Sequence, residues 1–269
     1  MIRKIGVIGC GWLGLPLAKN LVKHKYEVHG SSTSPEKLPV LQNAGIIPYH
    51  LVLKPDRIEG KVQELLSQIH VLIINVPPKL RSGNSESYLE KMTRLHAQIK
   101  KSGVTRIIFV SSTSVYGNVN GTVTEKTQPR PITESGNQLL ASESLFTNDS
   151  NLLTTVIRFG GLIGPNRHPI TMLSKKTNLS NGSDPVNLIH LDDCILMIRT
   201  ILKNNYWGEI FNGVYPLHPS KEEYYTQEAR KRGLNPPQYA PGTKEKEGKV
   251  IESKSFLGKS HEFHTSIMS

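Results

Sequence analysis

The sequence predicts an α/β fold built around a doubly wound parallel sheet, with a small C-terminal lobe. Apolar runs of strand length alternate with helix-length segments along most of the chain, which is the pattern of a parallel sheet. Residues 71–76 and 106–110 are almost entirely apolar, as expected for strands buried on both faces. Glycines or small polar residues directly follow several of these runs, at the edge where such sheets bind ligands.

The first half of the chain supplies most of the predicted sheet. Apolar runs between turn residues predict strands, and apolar residues at helical spacing predict helices. Pro35 suits the first turn of a helix, and the proline pair at 77–78 ends the strand before it. The predicted strands are 3–9, 26–31, 45–53, 71–76 and 106–110, and the predicted helices are 12–24, 35–44, 58–69 and 85–102, with a polar loop at 79–84.

The second half continues the alternation with more irregular segments. Residues 117–133 are rich in turn residues and predict a loop over the sheet edge, and residues 160–169 predict a loop that permits close backbone approach. The tail from position 235 has little apolar periodicity and is predicted to be a small irregular lobe or partly mobile. The predicted strands are 152–158, 186–190 and 209–212, and the predicted helices are 133–146, 170–180, 192–202 and 220–232.

A glycine motif, GCGWLG, joins the first strand to the first helix and fits G-x-G-x-x-G. Gly9 permits a sharp turn, Gly11 lets a ligand approach the backbone, and Gly14 lets the helix pack against the strand. Free N–H groups at Trp12 and Leu13, at the positive end of the helix, would then bind a diphosphate. The motif predicts a dinucleotide site in a Rossmann-type sheet; the alternative is a tight turn that binds nothing.

The end of the second strand bears on the choice of cofactor. An NAD site has an acidic residue about 20 residues after the glycines, where it binds the ribose 2′-hydroxyl. Here Ser31, Ser32 and Thr33 occupy the strand end, and Lys37 follows one helical turn later. Hydroxyl donors and a positive charge favour a 2′-phosphate, so we expect NADP to be preferred over NAD. Alternatively, residues 34–36 only begin the next helix, and both interpretations can hold together.

Other strand ends are expected at the same edge. Val76 and Pro77 end the fourth strand, and the proline removes a backbone donor where a cofactor could pass. Ser111 and Ser112 end the fifth strand. Because the carboxyl ends of parallel strands meet at one edge, Val76, Pro77 and Ser111 are predicted to join the cofactor site.

The composition is that of an ordinary globular protein. The 269 residues are 37% hydrophobic, and we expect one Rossmann domain over 1–269, with the lobe built from 165–187 and 214–269. Cys10 and Cys194 are far apart, which excludes a disulfide framework. No apolar run reaches the roughly 18 residues of a membrane helix, so we expect a cytoplasmic protein without a membrane partner.

A formal net charge of +11 raises the question of nucleic-acid binding. The lysines are scattered, apart from mild crowding at 244–259, and aromatic residues make up only 6% of the chain. A lysine-rich surface that attracts an anionic cofactor or substrate explains the charge better. We therefore expect no nucleic-acid partner, and a monomer or homodimer.

Four stretches together resemble a known family: GCGWLG, FVSSTSVYG at 109–117, RFGGLIGPNRHP at 158–169 and NLIHLDDC at 187–194. They are similar to the extended short-chain dehydrogenases/reductases, also called the NAD-dependent epimerase/dehydratase family. The atypical YeeZ-like branch is the most similar, and HPSKEEYY at 218–225 resembles it as well. The resemblance covers nearly the whole chain and implies a Rossmann fold, a nicotinamide cofactor and a sugar nucleotide or similar anionic substrate.

The resemblance also implies a catalytic serine without its usual partners. Ser112 matches the family residue that polarises the substrate, whereas Ser135 and Leu139 stand where the family has its Tyr-x-x-x-Lys pair. Loss of that proton relay removes a contribution of roughly 10²–10⁴-fold. Tyr116, a few positions beyond the strand end, is a candidate substitute acid; the alternative is a packed aromatic residue.

Further residues follow the family pattern around the substrate. Arg167, His168 and Asn187 lie where the family contacts substrates and are predicted to bind an anionic group, the alternative being a surface loop. His190 and Asp193 are expected to tie the start of a helix to a neighbouring loop. No metal site is expected, because the two histidines at 261 and 264 lack the H-E-x-x-H spacing.

Two functions therefore remain open. The first is an oxidoreductase, epimerase or dehydratase with an unusual proton donor, favoured by Ser112 and the loop at Arg167 and His168. The second is a non-catalytic NAD(P)(H)-binding sensor or regulator, favoured by Ser135 and Leu139. The retained substrate loop favours the enzyme slightly.

Overall fold

The computed structural model describes residues 2–78, 86–240 and 248–268. Short 3₁₀ turns lie at Pro35–Lys37 and Thr113–Tyr116. The strands are β1 (Lys4–Ile8), β2 (Glu27–Ser32), β3 (Ile47–Leu53), β4 (Ile58–Gly60), β5 (Val71–Ile74), β6 (Arg106–Ser112), β7 (Gly121–Val123), β8 (Leu153–Phe159), β9 (Gly161–Ile163), β10 (Leu188–His190), β11 (Ile210–Gly213) and β12 (Lys249–Ile251). The helices are α1 (Gly14–Lys23), α2 (Leu38–Asn43), α3 (Val62–Ser67), α4 (Tyr88–Ile99), α5 (Glu134–Thr147), α6 (Ile170–Leu173), α7 (Leu191–Asn204), α8 (Lys221–Lys231) and α9 (Lys254–Leu257).

The main sheet has the strand order β11-β8-β6-β5-β1-β2-β3-β4. Neighbouring strands are parallel except β4, which runs antiparallel to β3. In register, Ile5 of β1 lies between Val28 of β2 and Val71 of β5. The chain first adds strands on one side of β1 and then on the other. The crevice at the carboxyl ends of β1 and β5 is therefore the position where folds of this kind bind ligands.

Helices cover both faces of the sheet. Successive strand residues point to opposite faces, so Ile5 and Val7 enter one apolar core and Ile8 enters the other. Residues of α1, α2, α7 and α9 complete the first core, and residues of α3, α4 and α5 complete the second. This arrangement confirms the predicted doubly wound α/β fold. None of the helices in the described part of the chain is long and apolar enough to cross a membrane.

A third apolar cluster lies apart from the two main cores. It includes Ile170 of α6, Leu188 of β10 and Tyr224 of α8, all nearly inaccessible to solvent. Most of its members belong to segments 165–187 and 214–269, which the sequence assigns to the lobe. The division into a core and a substrate lobe stays a prediction.

Two helices are shorter in the structure than the sequence predicts, because residues near their ends adopt positive φ angles. Residues 58–69 form β4 and α3 instead of one helix, since Gly60 has a φ of +99° and β4 pairs with β3. The helix predicted at 170–180 is only α6, which ends at Leu173. Lys175 then adopts a φ of +75°. Such conformations interrupt a right-handed helix.

Two predicted loops and the tail contain regular structure that depends on distant partners. β7 lies within 117–133 and pairs in parallel with β12, and β9 lies within 160–169 and pairs with β10. In the tail, Phe256 stacks on Phe263 with ring centroids 5.2 Å apart. The tail is therefore more regular than predicted over the described residues. The loop predicted at 79–84 lies outside them.

Candidate cofactor and active site

The glycine loop has the geometry that its sequence predicts. Gly9 has a φ of +98°, and a Cβ there would collide with the Asn75 carbonyl oxygen. A Cβ on Gly14 would collide with the Gly9 carbonyl oxygen, so the helix packs tightly against the turn. A Cβ on Gly11, by contrast, would meet no heavy atom within 4 Å. Packing does not require a glycine at position 11, and the open space fits the approach of a ligand.

Asn75 holds the glycine loop in place, a role that the sequence analysis missed. Its Nδ2 donates to the Gly9 carbonyl oxygen at 2.9 Å, and its backbone N–H donates to the Ile8 carbonyl oxygen at 2.9 Å. The signal in the sequence is a single amide side chain that ends an otherwise apolar strand.

The serines that end β2 mainly support the backbone. Ser31 Oγ accepts from the Gly9 N–H at 3.2 Å, and Ser32 Oγ accepts from the Ser34 N–H at 3.1 Å. Thr33 and Lys37 are exposed beside them. Of the four residues predicted to bind the cofactor here, these two are therefore the ones whose side chains are exposed to solvent.

The ends of β5 and β6 lie next to each other in the sheet. Val76 is half-buried, with its carbonyl oxygen accepting from the buried Tyr88 hydroxyl at 3.0 Å, and Pro77 is exposed. Ser111 is buried and its Oγ donates to Glu143 Oε1 at 2.5 Å. Ser112 is half-buried and its Oγ accepts from the Ser114 N–H at 3.1 Å. Of the two serines, Ser112 is the more accessible.

A buried charged network contacts Ser111, and no sequence pattern indicated it. The Arg158 Nε–H is shared between the two carboxylate oxygens of Glu143, both at 3.1 Å, and Nη2 donates to Glu143 Oε2 at 2.6 Å. Both side chains are only 3% exposed. Burial lowers the pKa of Arg158, but the hydrogen bonds and charge of Glu143 outweigh it and raise the pKa overall. Arg158 thus keeps its positive charge, and its hydrogen bonds to Glu143 fix the ends of β6 and β8.

Tyr116 belongs to this network and is fully buried. Its hydroxyl donates to Asn212 Oδ1 at 2.8 Å and accepts from Arg158 Nη1 at 3.0 Å. Burial raises the pKa of the phenol, and Arg158 only partly offsets the rise. These contacts fit a packed aromatic residue better than an accessible acid, and a catalytic role for Tyr116 stays a prediction.

α5 carries the two positions that correspond to the family's Tyr and Lys. Ser135 is half-buried in its first turn, and Leu139 is 4% exposed within the second apolar core. An apolar side chain packed in a core cannot take the place of an ammonium group.

Of the three side chains predicted to bind substrate, two make hydrogen bonds to other groups of the protein. His168 is buried, its Nε2 lies 2.9 Å from the Tyr224 hydroxyl, and burial and the charge of Arg232 lower its pKa to about 4. Asn187 Nδ2 donates to the Lys249 carbonyl oxygen at 2.8 Å, which links it to β12. Arg167 is exposed, and its guanidinium carbon lies 4.8 Å from the centre of the Trp12 ring. Arg167 thus faces the glycine loop.

Lys249 is a second group that the sequence analysis missed. Its Nζ donates to the Gly117 carbonyl oxygen at 2.6 Å and lies 3.4 Å from the Thr113 carbonyl oxygen. Burial and the neighbouring charge of Lys221 lower the pKa of Lys249. The β7–β12 pairing therefore brings an ammonium group to the turn that follows Ser112.

The other residues considered in the sequence, Cys10, His190 and Asp193, make contacts that stabilise the fold. Cys10 is buried, and burial raises its pKa to about 12, which fits the expected packing role. His190 Nδ1 accepts from the Asp192 N–H at 3.2 Å and caps α7. The Asp193 carboxylate accepts from two backbone N–H groups of the tail, at residues 264 and 265.

Among the described residues, no group of three or more histidine, cysteine or acidic side chains could hold a metal ion.

Comparisons with known proteins agree with this geometry. The NAD(P)H-binding family model matches residues 9–188. Protein YeeZ of Escherichia coli (strain K12) is 35% identical over 252 residues, covering 93% of this chain and 92% of YeeZ. Two solved structures share the fold at 20% identity and a TM-score of 0.77, each covering 98% of this chain and 95% of the other: MoeE5 in complex with UDP-glucuronic acid and NAD, and UDP-glucuronic acid 4-epimerase from Bacillus cereus with the same ligands. The chain therefore belongs to the NAD(P)H-binding family, as an extended short-chain dehydrogenase/reductase of the YeeZ-like branch.

Proposed function

We propose that this protein is an NADP-dependent oxidoreductase or epimerase/dehydratase that acts on a sugar nucleotide or a similar anionic small molecule. The observation that carries the proposal is the common edge of β1, β5 and β6. The open glycine loop at Gly11 follows β1, and the accessible Ser112 hydroxyl lies at the end of β6, with β5 between these two strands. The MoeE5 and Bacillus cereus structures hold UDP-glucuronic acid with NAD on the same fold, which supports this substrate class.

Different residues along this edge would bind the cofactor and the substrate. When bound, NADP supplies a nicotinamide ring that accepts or donates hydride. The N–H groups of the glycine loop bind its phosphates, and Asn75 keeps that loop in place. The Ser112 hydroxyl donates to the substrate oxygen, and the nearby Lys249 ammonium adds positive charge. The described residues of segments 165–187 and 214–269 would form the substrate lobe that holds the sugar.

Substitutions at the end of β2 test the proposed preference for NADP over NAD. Thr33→Asp is expected to weaken NADPH binding on the order of tenfold, about 1.4 kcal/mol, and to strengthen NADH binding. The new carboxylate repels a 2′-phosphate but accepts a hydrogen bond from a ribose 2′-hydroxyl. Lys37→Ala should weaken NADPH binding without affecting NADH. Fluorescence titration of both cofactors measures these changes.

The matched control is Lys101→Ala, an exposed lysine just after α4, at the opposite edge of the sheet. It removes the same charge and should leave both dissociation constants unchanged. Equal affinity of the wild-type protein for NADPH and NADH would contradict the preference for NADP.

Catalysis is tested at Ser112 with UDP-glucose and UDP-glucuronic acid as substrates. Ser112→Ala is expected to lower kcat by about 10²-fold or more, since the hydroxyl takes part in proton transfer to the substrate oxygen. The dissociation constant for NADPH should change less than twofold. Absorbance at 340 nm follows oxidation or reduction, and chromatography of the nucleotide sugars follows epimerisation.

Ser112→Thr keeps both the hydroxyl and its ability to accept from the Ser114 N–H, and it should retain most of the activity. Turnover that survives Ser112→Ala unchanged would contradict the assignment. Loss of turnover in a stably folded Tyr116→Phe variant would instead support Tyr116 as the acid.

The second candidate function is a non-catalytic NAD(P)(H) sensor or regulator. The observation that favours it is α5, where Leu139 is packed in the core and no tyrosine or lysine is present. Tight NADPH binding without conversion of any nucleotide sugar tested, in the presence of either cofactor, would favour the sensor over the enzyme.

A further inference from the structure

Arg167 lies against the glycine loop, whereas the two other residues grouped with it, His168 and Asn187, have other partners. Its guanidinium carbon is 4.8 Å from the centre of the Trp12 ring, which is the stacking distance of a cation–π contact. His168 and Asn187 make internal hydrogen bonds, whereas Arg167 is exposed. The described residues form no salt bridge with Arg167, so its charge is not neutralised there.

The turn that carries Arg167 is fixed to the same tryptophan. Gly164 and Arg167 exchange two backbone hydrogen bonds of 3.0 Å, and Asn166 between them has a φ of +57°. Trp12 Nε1 donates to the Pro165 carbonyl oxygen at 3.0 Å. A Cβ on Gly164 would come within 3.2 Å of the Trp12 ring, so the turn packs directly on it. The guanidinium position is thus set by the glycine loop itself.

Unsatisfied donors lie at the same place. Among the described residues, the backbone N–H groups of Trp12 and Leu13 have no hydrogen-bond acceptor. Gly11 next to them leaves open space. Two free N–H groups at the start of α1 and an unneutralised guanidinium on the adjoining ring together present positive potential to an anion.

We propose that Arg167 binds the cofactor: its guanidinium, supported on the Trp12 ring, pairs with the diphosphate of NAD(P)H held on the glycine loop. This replaces the substrate-binding role predicted from the sequence. It rests on NAD(P)H binding by the glycine loop and is independent of the substrate and reaction proposed above. Trp12 then acts as a positioning residue, because it sets where the guanidinium lies.

The test is a titration of NADPH into the wild-type protein and its variants. Arg167→Ala is expected to raise the dissociation constant roughly 10- to 100-fold, the usual range for a lost hydrogen bond to a charged group. Arg167→Lys should be intermediate, since lysine keeps the charge but not the planar fork. Raising the salt concentration should weaken binding more in the wild-type protein than in Arg167→Ala.

Ligand fragments locate the contact on the cofactor. ADP-ribose contains the diphosphate, so Arg167→Ala should weaken its binding by a factor similar to that for NADPH. Adenosine 2′-monophosphate lacks the diphosphate, and its affinity should not change. In a double-mutant cycle, Arg167→Ala should cost less affinity in a Trp12→Leu background than in the wild type, because the ring no longer positions the guanidinium.

Arg230→Ala is the matched control, since Arg230 is an exposed arginine on α8. An NADPH dissociation constant in folded Arg167→Ala within twofold of wild type, or an equal effect of Arg230→Ala, would overturn the inference. An increase only in the KM for a nucleotide sugar would overturn it in favour of a substrate role. Absence of NADPH and NADH binding in the wild-type protein would overturn both this inference and the proposed function.

Discussion

Gly11→Val is expected to weaken NADPH binding on the order of 100-fold, about 2.7 kcal/mol, while the protein stays folded. The space beside Gly11 is open, so a branched side chain meets no protein atom near its Cβ. The same side chain would occupy the position through which a phosphate reaches the backbone N–H groups. Titration of NADPH by fluorescence measures the loss, and thermal unfolding of both proteins shows that the fold is kept.

Gly103→Val is the matched control for this substitution. Gly103 is also exposed with open space around its Cβ, and it lies between α4 and β6, at the opposite edge of the sheet. It should leave the dissociation constant unchanged. An equally strong affinity in Gly11→Val would mean that the cofactor binds elsewhere. Gly14→Val is uninformative, because its side chain would collide with the Gly9 carbonyl and disturb the fold.

The parts of the fold that the sequence predicted well have local causes. The strand at 71–74 is apolar because both of its faces are covered, and that property is visible in the residues themselves. The glycine loop is predictable for the same reason: Gly9 and Gly14 are required by contacts within a few residues or with the adjacent strand. The sheet edge that unites these features then follows from parallel topology.

The parts that the sequence did not predict depend on distant partners. β7 is three residues long and is defined by pairing with β12, near the other end of the chain. The contact between Trp12 and Arg167 likewise joins two separate motifs, and no spacing rule connects them. His168 was grouped with Arg167 because both lie where the resembled family contacts substrates, yet neighbouring residues in a tight turn point in different directions. Sequence patterns thus predicted which strand ends share one edge of the sheet but not the orientation of the side chains there.

The ion pair of Glu143 and Arg158 is the strongest case of such a hidden contact, and its loss should have the largest effect on stability. Glu143→Leu is expected to lower the free energy of unfolding by about 3–5 kcal/mol, because it leaves the Arg158 charge buried without a counter-charge. Ser111 and Tyr116 would also lose the arrangement that positions them. Urea unfolding at neutral pH, followed by circular dichroism, measures the change.

Glu64→Leu is the control, since Glu64 pairs with Lys61 on an exposed helix surface, where such a contact contributes about 0–1 kcal/mol. The double variant Glu143→Leu/Arg158→Met should recover much of the lost stability, because it removes both buried charges and fills the space with apolar atoms. A Glu143→Leu variant as stable as Glu64→Leu would show that Arg158 does not depend on this carboxylate. In that case the pair could not be what holds the ends of β6 and β8 beneath Ser112.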